Sequence, residues 1–206
     1  DHFVYTASKN LSSFPKQFLE RSRFTRIANA LPSARPVGRA RADLEVSDDA
    51  LLAILISRAI PGKGWEIAVK AVEDARASSG RDIHLVLIGN GPVYDKMLEA
   101  PVPGWLHLLG VQGDIRSWIA IADVGLLPTT FSGESYPLVL IDFLTMGVPV
   151  IATDAGEIPQ MMAGELGMPG YIVRVDDESE LADRFTVHLV ELAGFGTERR
   201  DGLRVQ

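Results

Sequence analysis

The 206 residues contain no cysteine, which excludes disulfides and thiolate zinc sites and points to a reducing compartment. No apolar run reaches the ~18 residues of a membrane-spanning helix. No basic block or stripe stands out against a net charge of −7, which argues against a nucleic-acid partner. The short cluster Arg35, Arg39 and Arg41, interspersed with Ala, Pro and Gly, reads as solvated linker. The four histidines, at positions 2, 84, 107 and 188, show no ligand spacing, and no Gly-x-Ser-x-Gly elbow supports a hydrolase. The start, Asp-His-Phe-Val-Tyr, has neither an initiator Met nor a signal-peptide core, so the chain is expected to begin partway through a longer protein. A cytoplasmic location is expected, with the full-length protein free to sit at a membrane surface.

What is present is an ordinary globular composition, 47% apolar and 23% charged. Residues 1–36 stand apart. Phe3–Ala7 reads as a strand, Ser13–Arg21 as an amphipathic helix and Arg26–Ala28 as a second strand, followed by a linker around Pro32 and Pro36. Residues 37–50 read as polar loop. From Leu51 onward, apolar runs recur at Leu52–Ile56, Ile83–Ile88, Trp105–Leu109, Val124–Leu127, Val148–Ala152 and Tyr171–Val173. Most are continuous, as in strands covered on both faces of a parallel sheet. Helical spacing separates them at Trp65, Ala68, Val69, Val72 and Ala75, and again at Ile115, Trp118, Ile119 and Ala122. A last helix is expected from Asp177, with Glu180 as its capping-box partner, to Ala193. The alternation predicts an α/β, doubly wound, Rossmann-like parallel sheet over residues 37–206.

In such sheets ligands bind beyond the carboxyl ends of the strands. The loop Ser57-Arg58-Ala59-Ile60-Pro61-Gly62-Lys63-Gly64 offers two cations that can converge on a diphosphate, at about 1.5–3 kcal/mol for each charge-assisted bond. Two surface cations fit the same letters. Gly89-Asn90-Gly91-Pro92 is read as a tight turn. At Gly110-Val111 the backbone can meet a planar base, or the loop simply turns into a helix capped by Asp114. The strongest signal is Glu134 in a turn-rich loop, then Pro137, then a buried helix with Asp142 in its second turn, roughly 7–8 Å below the helix start. The free amides of Leu138 and Val139 at that start suit phosphate oxygens. Taken singly, Glu134 also reads as a solvated loop acid, and Asp142 as a buried carboxylate satisfied by backbone or by a neighbouring Arg.

Together these stretches resemble the carboxy-terminal, donor-binding domain of the GT-B glycosyltransferases of family 4, the glycosyltransferases group 1. The resemblance rests on Ser57-Arg58 with Lys63-Gly64, Leu87 to Pro92, Leu109-Gly110-Val111, Ala122 to Pro128, Glu134 separated from Asp142 by seven residues, and Gly147 to Thr153. Residues 1–36 resemble the last strand and helix of the family's amino-terminal, acceptor-binding domain, with Ala28 to Pro32 at the crossover between domains. The resemblance implies that Arg58 and Lys63 neutralise the donor diphosphate, Glu134 meets the donor sugar and Asp142 the ribose hydroxyls. It further implies that Leu138 and Val139 amides hold the distal phosphate and that Gly110-Val111 meets the base. Transfer with retention, without a metal or other cofactor, is implied, the leaving phosphate deprotonating the acceptor. The expected partners are a nucleotide-diphosphate sugar, an acceptor the sequence does not identify, and the missing amino-terminal domain, which carries the family's catalytic histidine. The fragment alone is expected to bind donor and transfer sugar poorly or not at all. Two departures stand out: Asp142 replaces the family's usual Glu, and Pro137 stands where many members have Gly. A non-catalytic nucleotide-sugar binding module on the same fold is the alternative. An unrelated Rossmann-like dehydrogenase or methyltransferase is disfavoured, because Arg58 stands where a Gly-x-Gly-x-x-Gly would begin.

Overall fold

The computed structural model describes residues 1–32, 36, 38–163 and 170–195. Its main sheet is built from β3 (Leu51–Ile56), β4 (Ile83–Ile88), β5 (Leu106–Gly110), β6 (Val124–Leu127), β7 (Val150–Thr153) and β8 (Gly170–Val173). Ahead of it, β1 (His2–Tyr5), α1 (Lys16–Arg21) and β2 (Arg23–Arg26) form a parallel two-stranded sheet of their own, with His2 opposite Arg23.

The six strands run parallel in the order β5-β4-β3-β6-β7-β8. Strand order reverses between β3 and β6, so the loops leaving those strands diverge and open a crevice at their carboxyl ends. The continuous apolar runs are explained by cover on both faces. Leu51, Ala53 and Leu55 of β3 pack against α2 (Trp65–Ser79) and α7 (Leu181–Ala193). Leu52 and Ile54, pointing the other way, pack against α4 (Ile115–Ile121), α5 (Leu138–Thr145) and α6 (Ile158–Met162). Trp65, Phe143 and Phe185 are fully buried, each contributing roughly 1.5–3 kcal/mol over an exposed position. A short α3 (Pro92–Met97) follows β4, with Pro92 in its first turn.

The doubly wound sheet and its strands are where the sequence places them, to within two residues. Several local expectations are corrected. The second strand of the N-terminal unit is Arg23–Arg26, not Arg26–Ala28, because Phe24 supplies the aromatic that joins Phe3 and Phe18 while Ile27 is exposed. The polar stretch before β3 contains a 3-10 turn, Arg41–Leu44, that buries Leu44 and Val46. Arg41 is not solvated: its guanidinium lies 2.7 Å from Asp123 Oδ1 and donates to Ala50 O at 2.8 Å. Arg39 lies over the Trp118 ring, 4.7 Å from its centroid, while Arg35 falls outside the described residues. At the last helix Asp177 accepts from the Ser179 amide at 2.9 Å, and Glu180 pairs with Arg184 at 2.8 Å instead of closing a capping box. Among the described residues no helix is long and apolar enough to cross a membrane.

Candidate active site

The site lies where β3 and β6 part. Ile56 ends β3 and the chain turns at Ser57, whose Oγ accepts a bond from Trp65 Nε1 at 2.9 Å. That bond ties the Arg58–Lys63 loop to the first residue of α2. The loop from β6, residues 128–137, is stitched to it. Thr130 N donates to Gly62 O at 2.8 Å, and Thr129 Oγ1 donates to the same carbonyl at 3.2 Å. Thr153 at the end of β7 is fully buried and donates to Thr129 O at 2.7 Å, fixing the loop from the other side. Gly64 precedes α2 with φ +77°, and an added Cβ there would stand 2.1 Å from Pro128 O, so only glycine permits this closeness.

These loops enclose a cavity of about 410 Å³, lined by Arg58, Lys63, Glu134, Leu138 and Val139 among others. Five of the eight residues singled out in the sequence therefore border one hollow. Within it, Lys63 Nζ lies 2.6 Å from Glu134 Oε2, and both side chains are largely buried. Glu134 is not a solvated loop acid; it is 8% exposed. Phe131, which the sequence reading passed over, stands beneath both cations. Its ring centroid is 4.7 Å from Lys63 Nζ and 5.9 Å from Arg58 Cζ, a cation–π pairing that holds the two charges over one side of the cavity. The alternation of Phe, Ser and Gly just before Glu134 carries no periodic signal that would have found it.

Pro137 caps α5 from outside, with φ −66° and ψ 121°, so Leu138 and Val139 are its first two residues. Their amides precede the first intrahelical bond, and the helix dipole adds positive potential at the cavity wall.

Asp142, Gly110 and Val111 are not among the residues lining that cavity. Asp142 is 5% exposed, and Arg116 of α4 donates to its Oδ1 at 2.7 Å. The same guanidinium donates to Pro32 O at 2.6 Å, so Arg116 fastens the linker to the helix that borders the site. The sequence reading allowed for a neighbouring Arg without finding which; Arg116 is the one cation in the otherwise uncharged run of α4. Gly110 ends β5 with φ +64°, and Val111 is 69% exposed on the same edge of the sheet. Asp114 caps α4, accepting from Ser117 N at 3.2 Å. Among the described residues no group of three or more His, Asp or Glu is placed to hold a metal ion.

A cleft with cations on one loop, a carboxylate on the facing loop and a helix start between them suits an anionic ligand with hydroxyl-bearing ends. The family described as "Glycosyl transferases group 1" matches residues 51–189. An N-acetyl-alpha-D-glucosaminyl L-malate synthase of Bacillus anthracis is 31% identical over 125 residues, covering 56% of this chain and 32% of that protein. A phosphatidyl-myo-inositol mannosyltransferase of Propionibacterium freudenreichii is 26% identical over 140 residues, covering 68% of this chain and 35% of the relative. Among solved structures, a pneumococcal O-GlcNAc transferase in complex with UDP and GlcNAc superposes with a TM-score of 0.74 at 19% identity, over 99% of this chain and 40% of the other. WaaG, a glycosyltransferase of lipopolysaccharide biosynthesis, gives 0.69 at 16% identity, over 98% of this chain and 56% of the other. The matched region thus spans about a third of the length of these two curated relatives.

Proposed function

This chain belongs to the group 1 glycosyl transferases, and from that premise we propose that it binds a nucleotide-diphosphate sugar in the crevice between β3 and β6 as the donor half of a glycosyltransferase. The observation that carries the reading is the common cavity of Arg58, Lys63, Glu134 and the first amides of α5. Arg58, Lys63 and the helix start neutralise the diphosphate, and they gain most in the transition state, when negative charge builds on the leaving phosphate. Glu134 meets the sugar hydroxyls. One oxygen of Asp142 is engaged by Arg116, so in this reading the other oxygen serves the ribose, while the Gly110-Val111 backbone meets the base.

The transfer proceeds with retention and without a metal. The bond from the sugar's anomeric carbon to the phosphate oxygen breaks, and the bond to the acceptor oxygen forms on the same face. The acceptor's proton passes to the departing phosphate, so no protein base is required at that atom. Residues 1–36 act as the remnant of the acceptor-binding domain, whose remainder supplies the acceptor site. A pneumococcal relative crystallised with UDP supports a nucleotide ligand of this kind.

Titration calorimetry with UDP, GDP, ADP and their glucose conjugates tests the reading. Binding of at least one nucleoside diphosphate, weakened in Arg58→Ala, is expected. Absence of binding by every member of that panel overturns it.

A further inference from the structure

One residue near the start of the chain, Lys9, reaches the loop that carries Glu134. Ala7 is fully buried, unlike its neighbours, and the 3-10 turn Ser8–Leu11 follows it. Lys9 Nζ donates to the backbone carbonyls of Ser132 and Glu134, the latter at 3.1 Å. Glu157 grips the same loop from the opposite side: its amide donates to Ser135 O at 2.8 Å. Gly156 beside it lets the backbones approach so closely that a Cβ there would lie 2.7 Å from Glu134 O.

The carboxylate of Glu157 then closes the circuit. It is 5% exposed and accepts from Ser8 N at 2.6 Å and from Arg26 Nη2 at 3.1 Å. A buried carboxylate satisfied wholly by the N-terminal segment is costly to leave unpaired, so it pins that segment in place. Glu134 itself contributes a single side-chain bond, to Lys63, and otherwise relies on its backbone being held.

We infer that Lys9 and Glu157 are positioning residues for Glu134, latching the N-terminal unit to the loop so that this unit sets the sugar half of the donor site. The inference rests on the reading of Glu134 as the group that meets the donor sugar. It assigns two residues outside the cavity to specificity for the sugar and none to binding of the diphosphate.

Calorimetry with UDP and UDP-glucose, repeated with the GDP and ADP pairs, separates the possibilities on the whole chain. Lys9→Ala and Glu157→Ala are expected to weaken the nucleotide-sugar by about tenfold, the loss of one charge-assisted bond, while the free diphosphate changes by less than about twofold. Lys9→Arg restores the wild-type ratio, and in a Glu134→Ala background Lys9→Ala has no further effect. Equal losses for both ligands, or an unchanged ratio, overturn the positioning role while leaving the donor site standing. Wild-type chain that binds none of these ligands overturns the donor site and the positioning role with it.

Discussion

Lys63 Nζ lies 2.6 Å from Glu134 Oε2, joining a loop that leaves β3 to a loop that leaves β6 across the point where the sheet reverses its order. In the proposed reading, the pair sets a phosphate-binding cation next to an acid that meets the sugar hydroxyls. With both side chains largely out of water, removing one partner leaves an uncompensated charge.

Lys63→Ala is therefore expected to act twice. It weakens every nucleoside diphosphate by at least ~1.5 kcal/mol in calorimetry, and it lowers the unfolding free energy by about 3 kcal/mol in urea titration. Adding Glu134→Gln to Lys63→Ala recovers part of the stability and none of the diphosphate affinity. Equal diphosphate affinity in mutant and wild type removes Lys63 from the site.

Arg116 and Asp142 form a second such pair, with side chains 12% and 8% exposed. Arg116→Ala is expected to destabilise the chain by about 3 kcal/mol, whereas replacing both by Met and Leu brings stability back to within about 1–2 kcal/mol of wild type. Chemical denaturation of the single and double variants checks this. A double variant no better than Arg116→Ala shows that the pair holds shape, not charge.

Gly64 and Gly80 bracket α2 with positive φ of +77° and +64°. A Cβ at Gly64 meets Pro128 O at 2.1 Å, while at Gly80 nothing lies within 4 Å. Gly80→Ala should cost only the left-handed backbone, about 1–2 kcal/mol, and Gly64→Ala about 3 kcal/mol or more. The thermal midpoints of the two variants are expected to rank in that order, with only Gly64→Ala also loosening the diphosphate site.

His84 Nδ1 and His107 Nε2 are 3.0 Å apart across β4 and β5, a bond that needs one neutral ring nitrogen to accept. Burial lowers the His84 pKa below its usual 6.5; Asp82 pulls it back up and Arg76 opposes that. Burial also lowers His107, with the His84 charge adding to it. Below 6.5 the unfolded chain thus binds more protons than the folded one. Stability is therefore expected to be unaffected by this pair above that pH and to fall as pH drops through and below it. Urea midpoints measured from pH 8 to pH 5 should decline less steeply in His84→Asn/His107→Gln.

Much of the architecture was legible locally. The runs at Ile83–Ile88 and Val124–Leu127 have the strand boundaries expected, because apolar runs broken only by His84 and Gly125 have to be covered on both sides wherever they sit. Glu134 and Lys63 stood out because glycine and proline around them announce loops at the ends of such strands. Phe131 did not, since a lone aromatic in a turn has no period to betray it.

Charge partners were the part that could not be read. The sequence by itself determined an α/β alternation, the order of its strands along the chain, and which loops carry acids and cations, since hydrophobic cover and backbone turns depend on near neighbours. Folding alone decided that Asp142 belongs to Arg116, Arg41 to Asp123 and Glu157 to Ser8 and Arg26. A buried charge takes whatever donor the packed chain brings within about 3 Å, and that proximity exists only once distant segments have been laid side by side.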